Sequence, residues 1–437
     1  MLNNKNTKNT LVIGFAIFAM FFGAGNLIFP PYLGLITGKQ WFLSFLCFMA
    51  MDIGLSILTL LVVTKIGKGA EGVTEKLGRF PSVAILTLNA VCLGPMIAIP
   101  RTAATAYEFS IAPFFPSVKS GYFAVVFFAV VVLFCLKQSK VVDIIGTVFA
   151  PLILAALVVL IVKGIVTPLG SIDIVTSITE ATKVGVNSGY QTMDVMAAMI
   201  FSASILLTLK QKNYTKTDEQ FHMIAHSGII AAIILFIVYG GLAYLGASVS
   251  NLYGADIDRV VLLIAITKAL LGEKGMILLG FLVCAACMTP AIGLLSSAAS
   301  FFEKQTNGKL SYRFLVILFA GISCIISCFG ISKILALASP ILNVIYPVLI
   351  LLVFLGLIRK WIPSDSIYQM ASFGAFAVSV LTTISQYITL PFNMSSLPFY
   401  QYGFHWVTPA VIMGLLAFVI SQRKVLFLQN TPKFIRM

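Results

Sequence analysis

Apolar residues recur along this chain in long blocks separated by short polar turns, and the blocks predict spans rather than amphipathic stripes. They run over Leu11 to Thr37, Trp41 to Thr64, Val83 to Ile111, Tyr122 to Leu136, Val141 to Val162 and Gly189 to Leu209. Six more cover Phe221 to Ala247, Met276 to Phe302, Phe314 to Phe329, Ile334 to Ile358, Ile367 to Leu390 and Phe404 to Ile420. Since about 20 helical residues cross a ~30 Å hydrocarbon core, the pattern predicts an all-α integral membrane protein of twelve transmembrane helices. Residues 251–272 have an apolar centre too, but Asp256, Asp258, Arg259 and Lys268 leave too short an uncharged run. That segment reads as an interfacial helix in an outer loop.

Charge supports this count. With the N-terminus inside and twelve spans, twenty of the 29 Lys and Arg residues fall on the inner side and eight on the outer, with Arg101 inside the membrane. A thirteenth span at 251–272 would move nine of the inner charges outside, against the positive-inside rule. Both termini are therefore expected in the cytoplasm. The first run is too long for a signal peptide and lacks a small-residue cleavage site, so it reads as a retained helix. Loops are short, and residues 1–437 are expected to form one membrane domain.

Composition agrees: 59% of residues are hydrophobic and 10% charged, against roughly 25% charged in soluble domains. The net charge of +14 does not indicate nucleic acid, because the basic residues sit between apolar runs instead of forming a basic patch. The partner of most of this surface is a lipid bilayer. All seven cysteines lie within apolar segments, and the Cys284–Cys287 pair has no His or second pair to complete a zinc shell. They read as small packing residues.

The first run contains FFGAGNLIFPP, residues 21–31, where helix continuity would be expected. A break at Gly23, Ala24, Gly25 and Asn26 would expose backbone groups, tolerable in a membrane only where protein or a water-filled site satisfies them. The second half-helix would offer N–H groups to an anion, the preceding carbonyls would suit a cation, and the Asn26 amide oxygen is a neutral cation ligand. The competing reading is a glycine seam for close helix packing with a simple proline kink.

Ionisable residues at membrane depth mark sites by default. These are Asp52, Asp194, and Arg101 with Glu108, which are two helical turns apart and share a face with Thr105. The alternative for Arg101 is a buried ion pair with Asp52 or Asp194 that holds helices together. The stretch CAACMTPAIGLLSSAASFF, residues 284–302, can hold sodium through Thr289 or serve as a packed seam. An intramembrane enzyme would need a catalytic cluster, and His222 and His226, at i and i+4, have no carboxylate on their face. A channel would need pore-lining rings.

FFGAGNLIFPP, GPMIAIPRTAATAYE (residues 94–108), GYQTMDVMAA (189–198), YGGLAYLGA (239–247) and SPILNVIYP (339–347) together resemble the branched-chain amino acid carriers, the LIVCS family of cation symporters. The resemblance implies uptake of leucine, isoleucine and valine driven by sodium, or in some members by protons, with Na+ as coupling ion and no cofactor. More distantly, the first helix is similar to that of the neurotransmitter-type sodium symporters, with a pattern like GLGNFLRFP.

That likeness implies a LeuT-like fold of two inverted five-helix repeats, about residues 11–163 and 188–358, with discontinuous helices 1 and 6 and two additional helices at about 367–421. The break and the buried charges make Gly23, Ala24, Gly25, Asn26, Asp194, Arg101 and Glu108 the expected substrate site, and the likeness would turn Asn26 and Asp194 towards one site. It also implies sodium at Asn26, and a second sodium at Ala19, Phe22, Ala286 and Thr289, where Pro290 replaces a hydroxyl of the pattern.

Overall fold

The computed structural model describes residues 4–137, 150–389, 391 and 393–430. It is helical from end to end. Its helices in chain order are α1 (Asn4–Phe21), α2 (Ala24–Thr37), α3 (Trp41–Ile66), α4 (Arg79–Ser110), α5 (Ser120–Lys137), α6 (Ala150–Val166) and α7 (Ile178–Thr192). There follow α8 (Asp194–Gln211), α9 (Thr217–Ser248), α10 (Arg259–Gln305), α11 (Tyr312–Ser327), α12 (Ile331–Leu357), α13 (Asp365–Ile384) and α14 (Val407–Asn430). Among the described residues seven helical stretches are long and apolar enough to cross a membrane, α7 and α8 counting as one. An eighth is the bent pair α1–α2, and α5, α6, α11 and α14 supply shorter apolar helices. The first half of the run expected at Val141 to Val162 lies outside the described residues.

Backbone interruptions shape the bundle. The first run breaks at Phe22 and Gly23 with a 71° bend between α1 and α2. In α4 the chain kinks at Gly94 (φ −82°, ψ −122°), where Pro95 has no N–H to continue the ladder. In α10 Gly272 takes φ 69°, ψ −170°, a conformation open essentially to glycine alone. It separates residues 259–271, a helix in the segment expected at the outer surface, from the span that follows. Asp258 starts that outer helix by accepting from Val260 N–H at 2.8 Å.

The fold differs from the expected span 6 in length. The helix begins at Ile178, eleven residues earlier than expected, capped by Ser177, whose hydroxyl accepts from Glu180 N–H at 3.1 Å. Its polar outer half packs on α3 through Gly185 and Gly189; a Cβ at Gly185 would lie 2.2 Å from the Ser44 carbonyl oxygen. Elsewhere α2 packs along α9, α4 along the long span of α10, and α13 against α14. At one end of the bundle the short helix Gly69–Thr74 and the turn after it are held by Glu71–Lys304 (2.7 Å) and Glu75–Arg359 (2.5 Å) ion pairs.

Candidate functional site

Two breaks meet in the interior. At the first, Gly23 is the extended N-cap of α2 and its carbonyl accepts from Asn26 N–H at 3.1 Å. The Asn26 side chain, 1% exposed, spends both amide protons: one on the Phe21 carbonyl at 2.8 Å, the other on Asp194 Oδ2 at 2.8 Å. It thereby ties the end of α1 to the second break. There Met193 sits between α7 and α8 with φ 67°, a left-handed conformation that costs an ordinary side chain energy and marks a constrained position. Asp194 is the first residue of α8, where a helix N-terminus favours a carboxylate.

Arg101 completes the junction from α4, beyond the Gly94–Pro95 kink. Its Nη1 donates to the Gln191 carbonyl at 2.7 Å and its Nη2 to the Thr192 carbonyl at 3.1 Å, satisfying the end of α7. Gly25 lies against the guanidinium; a Cβ there would stand 2.9 Å from Cζ. The first turn of α2 therefore presents its N-terminus beside a cation. The alternative ion pair of Arg101 with Asp52 or Asp194 is absent among the described residues; backbone carbonyls take its place.

Three further side chains belong to the cluster. Asp52, fully buried, comes from a π-turn at Ala50–Gly54 inside α3 and faces the Asp194 carboxyl and Thr192. Tyr239 from α9 brings a buried hydroxyl beside Asn26, Asp52 and Asp194. Tyr346 from α12 accepts from Val195 N–H at 3.1 Å, so its hydroxyl closes the first turn of α8. The sequence flags Asp52 as an intramembrane charge and as one alternative partner of Arg101. The tyrosines carried a weaker signal, since each lies in a quoted stretch, YGGLAYLGA and SPILNVIYP.

One expected residue lies outside this cluster. Glu108 lies at the far end of α4, where Oε1 accepts from Ile331 N–H at 3.0 Å and caps α12. Ala19 lies in the last turn of α1, and Phe22, just after that helix, stacks on the Tyr239 ring with centroids 6.2 Å apart. Ala286 and Thr289 lie in the span of α10, which packs along α4. That helix runs unbroken through Pro290, whose missing N–H leaves the Ala286 carbonyl, four residues earlier, without its helical donor. The side chain of Ala24 lies outside the described residues.

A cavity of about 600 Å³ leads towards the junction and is lined by Phe29, Tyr32, Gln191, Asp258, Arg259 and Leu335, among others. The residues after α9 cover it. The Arg259 guanidinium stands 5.0 Å from the Phe29 ring centre and 4.8 Å from that of Tyr32, and the Tyr32 hydroxyl donates to the Ala255 carbonyl at 2.7 Å. His222 and His226 line a separate cavity of about 360 Å³ beside Asn6, Thr10 and Tyr214. No cluster of three or more metal-ligating His, Cys, Asp or Glu side chains occurs among the described residues.

Residues 6–424 match the sequence profile of the family described as branched-chain amino acid transport protein. The chain belongs to this family. A putative branched-chain amino acid carrier protein of Staphylococcus aureus (strain USA300) is 34% identical over 97% of this chain and 98% of its own length. The branched-chain amino acid permease BraB of Bacillus subtilis (strain 168) is 32% identical, covering 96% and 97%.

The fold of this branched-chain amino acid transport protein is shared with solved transporters of low identity. The inward-facing conformation of Mhp1 superimposes with a TM-score of 0.65 at 14% identity, over 95% of this chain and 91% of that one. MhsT in complex with L-phenylalanine gives 0.54 at 18% identity, over 93% and 98%. Family, fold and apolar helices together make this a multi-pass membrane protein of the LeuT-like transporter fold.

Proposed function

We propose that this chain is a secondary active symporter that takes up leucine, isoleucine and valine with sodium by alternating access. It would reside in the plasma membrane with both termini cytoplasmic. Counting α5, α6, α11 and α14 as crossings gives twelve spans, with inverted repeats at about 11–163 and 188–358 and two helices after them. The observation that carries the reading is the meeting of two helix breaks around Asn26, Asp194 and Arg101.

The chemistry of a zwitterion fits these ends. The N-terminus of α2, with Gly25 against the Arg101 guanidinium, offers donors to a substrate carboxylate. Asp194 offers an acceptor to its ammonium. Because both amide protons of Asn26 are engaged, its oxygen is the part left to face a cation. A second sodium would draw on the carbonyls of Ala19, Phe22 and Ala286 and on the Thr289 hydroxyl. The Ala286 carbonyl released by Pro290 supports that assignment.

Isoleucine uptake into proteoliposomes, with sodium and proton gradients imposed separately, tests the proposal. One inward charge across 100 mV contributes about 2.3 kcal/mol, or roughly fifty-fold accumulation. A sodium gradient at constant pH is expected to drive uptake and a pH gradient alone is not. Asn26→Ala should raise the sodium concentration for half-maximal uptake. Thr289→Val should lose most uptake while Thr289→Ser keeps much of it. Sodium-independent, pH-driven accumulation would sink the reading, and equal transport by the Val and Ser variants would remove Thr289 from it.

A further inference from the structure

The buried polar cluster contains more oxygen atoms than its hydrogen bonds satisfy. Asp52 is 0% exposed and neither of its carboxyl oxygens makes a hydrogen bond of good geometry, although Asp194 and Thr192 face it. Thr192, beside it, donates instead to the Gly189 carbonyl at 2.7 Å. Asp194 receives a side-chain donor from Asn26 at 2.8 Å, leaving most of its lone pairs free. The Tyr239 hydroxyl is also 0% exposed and makes no hydrogen bond of good geometry, although Asn26 faces it and the Asp52 and Asp194 carboxyls are near. Leaving such groups dry and unmatched costs several kcal/mol.

Arg101 does not settle this account. Its Nη1 and Nη2 are committed to the Gln191 and Thr192 carbonyls, its buried Nε makes no hydrogen bond, and it forms no ion pair among the described residues. The Asp52 oxygens and the Tyr239 hydroxyl therefore remain buried oxygen atoms with no donor from Arg101, beside Asp194.

We infer that Asp52 and Asp194 together hold a transported sodium ion, with the Tyr239 hydroxyl as a third oxygen ligand. An all-oxygen set of carboxylate and hydroxyl suits a hard cation and offers nothing to a soft one. Two of the three ligands sit at interruptions of regular helix. Asp52 lies on a π-turn, Asp194 directly follows the Met193 break, and Tyr239 comes from the helix packed on α2. Cation binding here would pull α3, α8 and α9 together. Transport would then depend on the ion as well as the substrate.

This site rests on the sodium-coupled reading, and the two fail differently. The measurement is isoleucine uptake against sodium concentration for the wild type, Asp52→Asn, Asp52→Glu and Tyr239→Phe in proteoliposomes, with substrate exchange at saturating sodium as a check on assembly. Asp52→Asn should raise half-saturating sodium roughly tenfold or more, and Tyr239→Phe by a smaller factor, with substrate affinity at saturating sodium changed less than about threefold. Asp52→Glu should keep sodium coupling but shift the lithium-to-sodium preference, because the longer carboxylate changes the cavity.

A sodium-dependent wild type with unchanged half-saturation in Asp52→Asn and Tyr239→Phe would overturn the inference and leave the symporter standing. The same holds if Asp52→Asn abolishes a pH response and leaves sodium dependence intact, since the pair would then hold a proton. A wild type indifferent to sodium would overturn both. Should Asp52→Asn fail to assemble, Asp52→Glu and Tyr239→Phe decide the matter by the same readout.

Discussion

Arg101→Ala is expected to abolish isoleucine uptake and to destabilise the detergent-extracted protein by roughly 3–5 kcal/mol. The guanidinium is 6% exposed and bridges the Gln191 and Thr192 carbonyls at 2.7 and 3.1 Å. Those carbonyls belong to the last turn of α7, where no intrahelical donor is available. Removing the side chain strands them beside two carboxylates that then have no cation near them. The end of α7 would have to move, and with it Met193 and Asp194.

Lysine should rescue only part of the loss. Its ammonium is a single point on a flexible stem and cannot reproduce the planar fork that reaches two carbonyls at once. Glu108→Gln is the control. It lies seven residues away on the same helix, but its carboxylate accepts from Ile331 N–H at the mouth of α12, a bond that the Gln oxygen can still accept. Uptake by Glu108→Gln should stay close to that of wild type. A folded Arg101→Ala variant with normal uptake, measured beside its thermal unfolding, would refute the assigned role.

The two interior breaks were unequally visible in the sequence. Glycine, asparagine and proline inside an apolar run announce the first, because each has a known reason to interrupt a helix. The second falls on Met193, a residue with no local preference for a left-handed backbone. Its conformation is imposed by partners far along the chain, Arg101 on one side and Asn26 on the other. Polar residues such as Thr179, Glu180, Thr182, Lys183 and Asn187 hid the outer half of the same helix. What holds that half is backbone contact through Gly185 and Gly189, not apolar area.

The role of Arg101 was hidden for a related reason. Side-chain letters suggested carboxylate partners, whereas the acceptors are backbone carbonyls, which every residue carries. Asp52 and Tyr239 lie 142 and 45 residues from Asp194 in the chain, so no spacing rule joins them. By contrast, the charges of residues 251–272 marked that segment as a helix distinct from the following span, and Gly272 does separate the two. The Gly94–Pro95 kink stood inside a quoted stretch and could have been read from its proline.

Gly246→Ala is expected to cost about 1–3 kcal/mol or more and to impair transport, although residue 246 touches none of the polar cluster. A Cβ at Gly246 would lie 1.7 Å from the Pro31 carbonyl oxygen, and one at Gly34 would lie 1.8 Å from the Ala243 carbonyl oxygen. Both obstacles are backbone atoms, so no side chain can swing aside; α2 and α9 must separate. Asn26 is on α2 and Tyr239 is on α9, so separation pulls the first break away from the hydroxyl proposed to face the cation. The variant should therefore lose thermal stability and also need more sodium for half-maximal uptake. Gly321→Ala in α11 provides the comparison, since a Cβ there meets nothing within 4 Å. It should be neutral or stabilise by up to about 1 kcal/mol through helix propensity and a less flexible unfolded chain. If Gly246→Ala unfolds at the wild-type temperature with unchanged sodium dependence, the close packing of α2 on α9 does not set the geometry of the site.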